Sequence, residues 1–169
     1  SADAQQDTIM IDNSSIELET SVVYMLHKPK KYLCTAHDEF NRKTVLDLVP
    51  KKPRVFYVGR LDKYATGLLI LTNDGTLANE IIHPSKNILK TYIVTLDKPF
   101  NKSDIQKAKH GVKIEGKIIT STMIPLQKNI VAISLHVGLH KIVKRIFKEL
   151  GFFVKDIHRT HIGNLALDV

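Results

Sequence analysis

The segment GLLILTN, residues 67–73, carries no polar side chain between Leu68 and Leu71. An apolar run of strand length without alternation predicts a strand buried on both faces. Such a strand needs cover above and below its sheet. A chain of 169 residues can supply that cover from one domain, or from two small lobes sharing a core. Asn73-Asp74-Gly75 then turns the chain.

The neighbouring segments read as follows. Val22–Leu26 predicts a strand, followed by a basic turn over His27–Lys31 punctuated by Pro29. TVLDLVP is a short helical or turn segment capped by Thr44 and stopped by Pro50. VFYVGRL predicts a strand. DGTLANEIIHP places Leu77, Ile81 and Ile82 at helical spacing and ends at Pro84. ILKTYIVTLDKP alternates, with Lys90, Tyr92, Val94 and Leu96 on one face. KSDIQKAKHG predicts a helix with Ser103 as N-cap and Gly111 at its end. VKIEGKIIT predicts a hairpin around Gly116, and NIVAISLHV a strand. LHKIVKRIFKELG is the clearest helix, with Ile142, Val143, Ile146 and Leu150 as its apolar stripe and Lys141, Arg145 and Lys148 opposite. FFVKDIHRTHIG and LALDV close the chain as strands. Strands dominate, helices are single, and no regular β–α–β alternation exists. The pattern predicts an α+β fold with a mixed, largely antiparallel sheet. Residues 1–20 read as a tail or linker, and 21–169 as the folded unit.

A formal net charge of +8 favours an anionic partner: nucleic acid, nucleotides or an acidic membrane surface. With no tryptophan and 7% aromatics, a broad base-stacking platform is not expected. The single cysteine, Cys34, rules out an intrachain disulfide and a metal site built from cysteines alone, and fits a reducing compartment. No apolar stretch approaches the ~20 residues of a membrane span.

Asp62 is the first candidate for chemistry. It follows VFYVGRL and precedes the buried run, so it occupies a loop at the end of a buried element. Arg60 and Lys63 flank it and favour its ionised form, which can act as a nucleophile or stabilise a developing cation. A structural ion pair at a turn accounts for the pattern equally well. Gly59 and Gly67 bracket the loop and allow close backbone approach. The Gly-Lys-Ser/Thr ending of a phosphate loop is missing, which removes a nucleoside-triphosphatase reading. A glycosidase-like hydrolase would need a second carboxylate, and the local stretch offers only Asp74, assigned to the turn. Tyr92 shares a strand face with Lys90, a pairing that can stack a base and hold a phosphate, or serve as an ordinary half-buried strand tyrosine. The helix over 140–150 presents a basic face suited to phosphates or to solvent, and in it Arg145 can clamp a carboxylate. His83, His136, His140, His158 and His161 show no metal-ligand spacing, and His158 and His161 with Arg159 read as strand or RNA-facing residues.

Four blocks in order carry a resemblance: HKPKKYLCT, GRLDKYATGLLILTNDG, HPSKNILKTYIV and GLHKIVKRIFKELGFFVKDIHRTHIGNLAL. Together they resemble the RsuA-like family of ribosomal RNA pseudouridine synthases over about residues 22 to 168. The resemblance implies a catalytic domain over 21–169 with a central sheet and a cleft between two lobes. It implies isomerisation of a uridine in ribosomal RNA, 16S or 23S, without cofactor or metal, by a cytoplasmic monomer with no membrane role. By resemblance Asp62 is the catalytic carboxylate, attacking the sugar or acting through a glycal. Tyr92 stacks on the target base and assists proton removal from carbon five, and Arg145 pairs with Asp62. Lys28, Arg60, Lys63, Thr66, Lys90, Lys141 and Lys144 are then expected to bind RNA. The chain departs from the family pattern at Val137, where Glu is usual, at Ile142, where Gln is usual, and at Lys31, where Gly is usual. DTIMIDNSSIEL resembles the exit from a small RNA-binding domain, and LALDV stops where relatives continue, so the chain reads as a trimmed one. A non-catalytic RNA-binding module of the same fold is the alternative. Retention of Asp62, Tyr92 and Arg145 together argues against it.

Overall fold

The computed structural model describes residues 10, 11, 14, 15 and 19–167. Strands β1 (Met10–Ile11) and β2 (Ser14–Ser15) pair antiparallel inside the segment read as a linker. β3 (Val23–Lys28) follows, then a 3-10 turn over Val45–Leu48, β4 (Phe56–Val58) and β5 (Thr66–Thr72). α1 (Gly75–Ile82) leads to β6 (Lys90–Leu96), and α2 (Lys102–Lys109) to the hairpin of β7 (Val112–Ile114) and β8 (Lys117–Ile119). β9 (Thr122–Gln127), β10 (Ile130–Leu135), α3 (Ile142–Glu149), β11 (Val154–Ile162) and β12 (Leu165–Ala166) complete the order.

The main sheet runs β3-β5-β11-β6-β10-β9, with β4 added on β5 and β12 on β11. Only the β5–β11 contact is parallel, so the fold is α+β with a mixed, mostly antiparallel sheet, as its element order implied. β5 is forked. β11 pairs its first residues, Thr66 and Gly67, while β4 pairs Ile70, Leu71 and Thr72. β3 runs along the whole of its other side. Leu69 and Leu71 point into the principal core, and Leu68 and Ile70 into a second cluster with Val58, Ala78 and Ile162. The unbroken apolar run is therefore a central strand covered on both faces.

α3 closes the principal core. Phe147 is fully buried and meets Phe100 and Phe152 at ring-centroid separations of 6.0 and 6.5 Å. Its apolar stripe is Ile142, Val143, Ile146 and Phe147; Leu150, expected in that stripe, is the half-buried C-cap. The β7–β8 turn places Glu115 and Gly116 at φ 51° and 80°, the left-handed pair that a two-residue hairpin requires.

Two local expectations are corrected. The N-cap of α2 is Asn101, because the Asp104 carboxylate accepts from the Asn101 N–H at 2.9 Å; Ser103 lies inside the helix. β9 was missing from the sequence reading. It contains Pro125, which a sheet tolerates because β9 is an edge strand. Among the described residues no helix is long and apolar enough to cross a membrane.

Candidate active site

Asp62 stands in the loop between β4 and β5, and the segment after β3 builds the floor beneath it. Lys28, the last residue of β3, has no exposed surface. Its ammonium donates to the carbonyls of Ala65 at 2.9 Å, Pro29 at 3.0 Å and Lys63 at 3.4 Å. The Lys31 N–H donates to the same Lys63 carbonyl at 2.7 Å. The Leu61 N–H reaches the buried Cys34 sulfur at 3.5 Å. Leu61 and Ala65 are themselves buried, and the Ala65 N–H closes a turn onto the Asp62 carbonyl at 3.1 Å. The carboxylate is thus carried on a short loop with anchors on both sides. Burial lowers the pKa of Lys28, while the charges of Cys34 and Asp62 act in the opposite sense.

Gly67 explains how β5 enters. Its φ is +105°, and a Cβ there would lie 2.6 Å from the Arg159 nitrogen. Only glycine lets β5 and β11 cross this closely, which is the close approach expected of it. Arg159, read as a strand or RNA-facing residue, is a strand residue of β11 and is buried, with its Nε donating to the Leu68 carbonyl at 2.7 Å.

Tyr92 reaches the site from β6 and α3 supplies the far wall. Arg60, Leu61, Asp62, Ala65, Tyr92, Lys141, Ile142, Val143, Lys144 and Ile157 surround a small open pocket of about 70 Å³. A wider groove of about 520 Å³ opens beside it. The two share Arg60, Leu61, Asp62, Lys141 and Lys144. Asp62 therefore sits on the seam between a largely apolar pocket and a basic groove. Arg42, Arg60, Lys63, Lys141 and Lys144 line the groove against only Asp38 and Asp62. That balance attracts a polyanion.

The expected pairing of Arg145 with Asp62 is replaced by another. Lys144 Nζ lies 3.6 Å from Asp62 Oδ2, whereas Arg145 Nη2 binds Glu115 Oε1 on the β7–β8 turn at 2.7 Å. Successive helix residues are rotated by about 100°. With 142, 143, 146 and 147 turned inward, positions 144 and 145 flank opposite sides of the stripe, and only one can face Asp62.

Of the residues expected to bind RNA, Arg60, Lys63, Lys141 and Lys144 line the groove. Lys28 and Lys90 do not. Both are buried, and Lys90 donates to the Ile88 carbonyl at 3.3 Å, its pKa lowered by burial and by the Arg159 charge. The face that Lys90 shares with Tyr92 is the core face. Thr66 bonds His158 Nδ1 at 2.8 Å and lines neither pocket. Arg42 and the apolar contributors Leu139 and Ile157 are site residues that the sequence does not single out. The last two carry no pattern of their own, since strand and loop apolar residues default to core.

The sequence of residues 22–148 matches the family model described as RNA pseudouridylate synthase. The chain belongs to that family. It is 35% identical over 155 residues to an RNA pseudouridine synthase of Borreliella burgdorferi, covering 90% of this chain and 62% of the relative. It is 32% identical to ribosomal large subunit pseudouridine synthase B of Bacillus subtilis, covering 95% and 69%. It is also 34% identical to the dual-specificity RNA pseudouridine synthase RluF of Escherichia coli, covering 95% and 57%. These relatives bear out the RsuA-like resemblance of the four sequence blocks. A crystal structure of a pseudouridylate synthase superposes with a TM-score of 0.83 at 29% identity, over 89% of this chain and 66% of that one. A ribonucleoprotein of the H/ACA class bound to substrate RNA shares the fold at a TM-score of 0.60 and 14% identity. The chain spans between 57% and 69% of the length of these three relatives.

Proposed function

We propose that the chain isomerises a specific uridine of ribosomal RNA, 16S or 23S, to pseudouridine. The observation that carries this reading is the placement of one carboxylate, that of Asp62, between the Tyr92 pocket and the basic groove. The pocket receives a base turned out of its helix, and the groove receives the strand it came from. Asp62 is the carboxylate that releases uracil from its ribose, either by attacking C1′ as the base leaves or by taking the C2′ proton to give a glycal. The base rotates and rejoins through carbon five, whose proton leaves as nitrogen one gains one. The product has the composition of the substrate, so no redox cofactor enters the balance. Tyr92 stacks on the base and assists loss of the carbon-five proton. Lys144, 3.6 Å from the carboxylate, holds Asp62 oriented toward the pocket. Arg145 acts at one remove, fastening α3 to the β7–β8 hairpin. Arg60, Lys63 and Lys141 hold the RNA backbone. The enzyme works in the cytoplasm as a monomer.

Tritium release from ribosomal RNA labelled at carbon five of uridine tests the reading. The wild-type chain should release tritium and Asp62→Asn should not. Equal release by both removes Asp62 from the chemistry. Release by neither, with RNA still bound, favours a binding module of the same fold.

A further inference from the structure

The groove beside Asp62 has more than charge. Tyr64, two residues after Asp62, lines it with 58% of its surface exposed. Lys63 Nζ lies 5.5 Å from the Tyr64 ring centroid. Arg42, another lining residue, places its guanidinium carbon 4.9 Å from the centroid of Phe40, which is 74% exposed. Asp38 fixes that guanidinium by bonds of 2.6 Å to Nη2 and 3.1 Å to Nε. An exposed aromatic ring with a cation at its side therefore occurs twice around one basic groove. The ring offers a face to any base, and the cation offers a charge to the adjoining phosphate. Neither ring supports the core, and neither belongs to the pocket that takes the reacting base.

We propose that this groove is a second nucleotide subsite, in which Tyr64 stacks on the base of a single-stranded nucleotide flanking the reacting uridine, with Phe40 as the outer platform. The subsite rests on the reading of Asp62 as the point where RNA reacts, but it makes its own binding claim. Lys63 and Arg42 meet the phosphates on either side of the stacked base. Stacking is tolerant of base identity, so the subsite selects for an unpaired strand beside the target rather than for a sequence.

Fluorescence anisotropy with labelled decauridylate, and with an abasic ribose-phosphate decamer of equal length, tests this. Tyr64→Ala should weaken decauridylate binding roughly 5- to 100-fold, the span of losing one stacked base. It should leave abasic binding and the salt dependence of affinity as in wild type, because the phosphate contacts remain. Tyr64→Phe should retain wild-type affinity. Unchanged decauridylate binding in Tyr64→Ala, confirmed folded by circular dichroism, overturns the subsite. So does an equal loss for the abasic decamer. The tritium assay is independent of this result. Should Asp62→Asn still release tritium while Tyr64→Ala loses the stacked base, the catalytic assignment fails and the subsite stands.

Discussion

The ammonium of Lys28 donates to the carbonyl of Ala65 at 2.9 Å, three residues beyond Asp62. A lysine at a strand end usually reaches for water; this one is consumed by three backbone carbonyls. Lys28→Met should remove all three bonds and orphan the buried Ala65 carbonyl, a loss of about 1–3 kcal/mol, while the Lys63 carbonyl keeps the Lys31 N–H. Tritium release should fall further than RNA affinity, because the loop shifts while the groove cations remain. Urea unfolding and decauridylate binding measure the two effects separately.

Lys144 and Arg145 should separate cleanly. Lys144→Ala should lower kcat about 100-fold, the scale of removing one oriented electrostatic partner, and Lys144→Arg should recover much of it. Arg145→Ala and Glu115→Ala should behave alike, each costing about 1 kcal/mol of stability or less, since Glu115 is exposed and Arg145 only half-buried. If Arg145→Ala lost as much kcat as Lys144→Ala, the flank assignment of α3 would be wrong.

Gly67→Ala should destabilise the fold by more than about 2 kcal/mol, combining a disfavoured backbone conformation with a clash against Arg159. Denaturant midpoints of the two proteins give the figure directly. Gly116→Ala, where a Cβ meets nothing within 4 Å, carries the backbone strain alone and should cost less.

The Asp38–Arg42 clamp has a pH signature. Hydrogen bonds from Arg42 hold the Asp38 carboxyl down at about 2. A depressed carboxylate contributes stability that is fully present above its unfolded value, near 3.8, and is lost as pH falls toward about 2. Carbon-13 titration should find Asp38 in that low range, and Arg42→Ala should return it to the ordinary one.

Lys90 gives a slope of the same sign in a much higher pH window. Its pKa is lowered by burial and by Arg159, so the unfolded chain holds the proton more tightly than the folded one. Stability attributable to this group should therefore rise with pH in the window below 10.5, the ordinary lysine value. Comparing wild type with Lys90→Met across that window isolates the slope, which the variant should lack.

The elements that were legible in sequence were those whose burial writes a period. β5 shows as an unbroken apolar run, β6 as strict alternation, and α3 as a stripe. What stayed hidden depends on contacts between distant segments. The stripe of α3 gives its inward face, but not which flank meets Asp62; the β7–β8 hairpin decides that by taking Arg145 through Glu115. Lys28 and Lys90 look like surface cations because nothing local announces that carbonyls from residues 29, 63, 65 and 88 will surround them. β9 was lost to Pro125, which reads as a breaker unless the strand is known to lie at an edge. The Asp62 loop was legible as a candidate, while the shared wall of pocket and groove was not, since its residues come from two stretches about 80 residues apart, 60–62 and 141–144.

The segment that carries Phe40 and Arg42 leaves and re-enters the fold at almost one point. The Leu33 N–H bonds the Lys43 carbonyl and the Val45 N–H bonds the Leu33 carbonyl, both at 2.9 Å. Apart from Cys34, which belongs to the floor under Asp62, this pinch sets the span between them off from that floor. Loop length adds only slowly to closure entropy, so residues can be inserted or exchanged there without transmitting strain to the carboxylate. The segment that carries Phe40 and Arg42 can thus vary in length apart from the loop that carries Asp62.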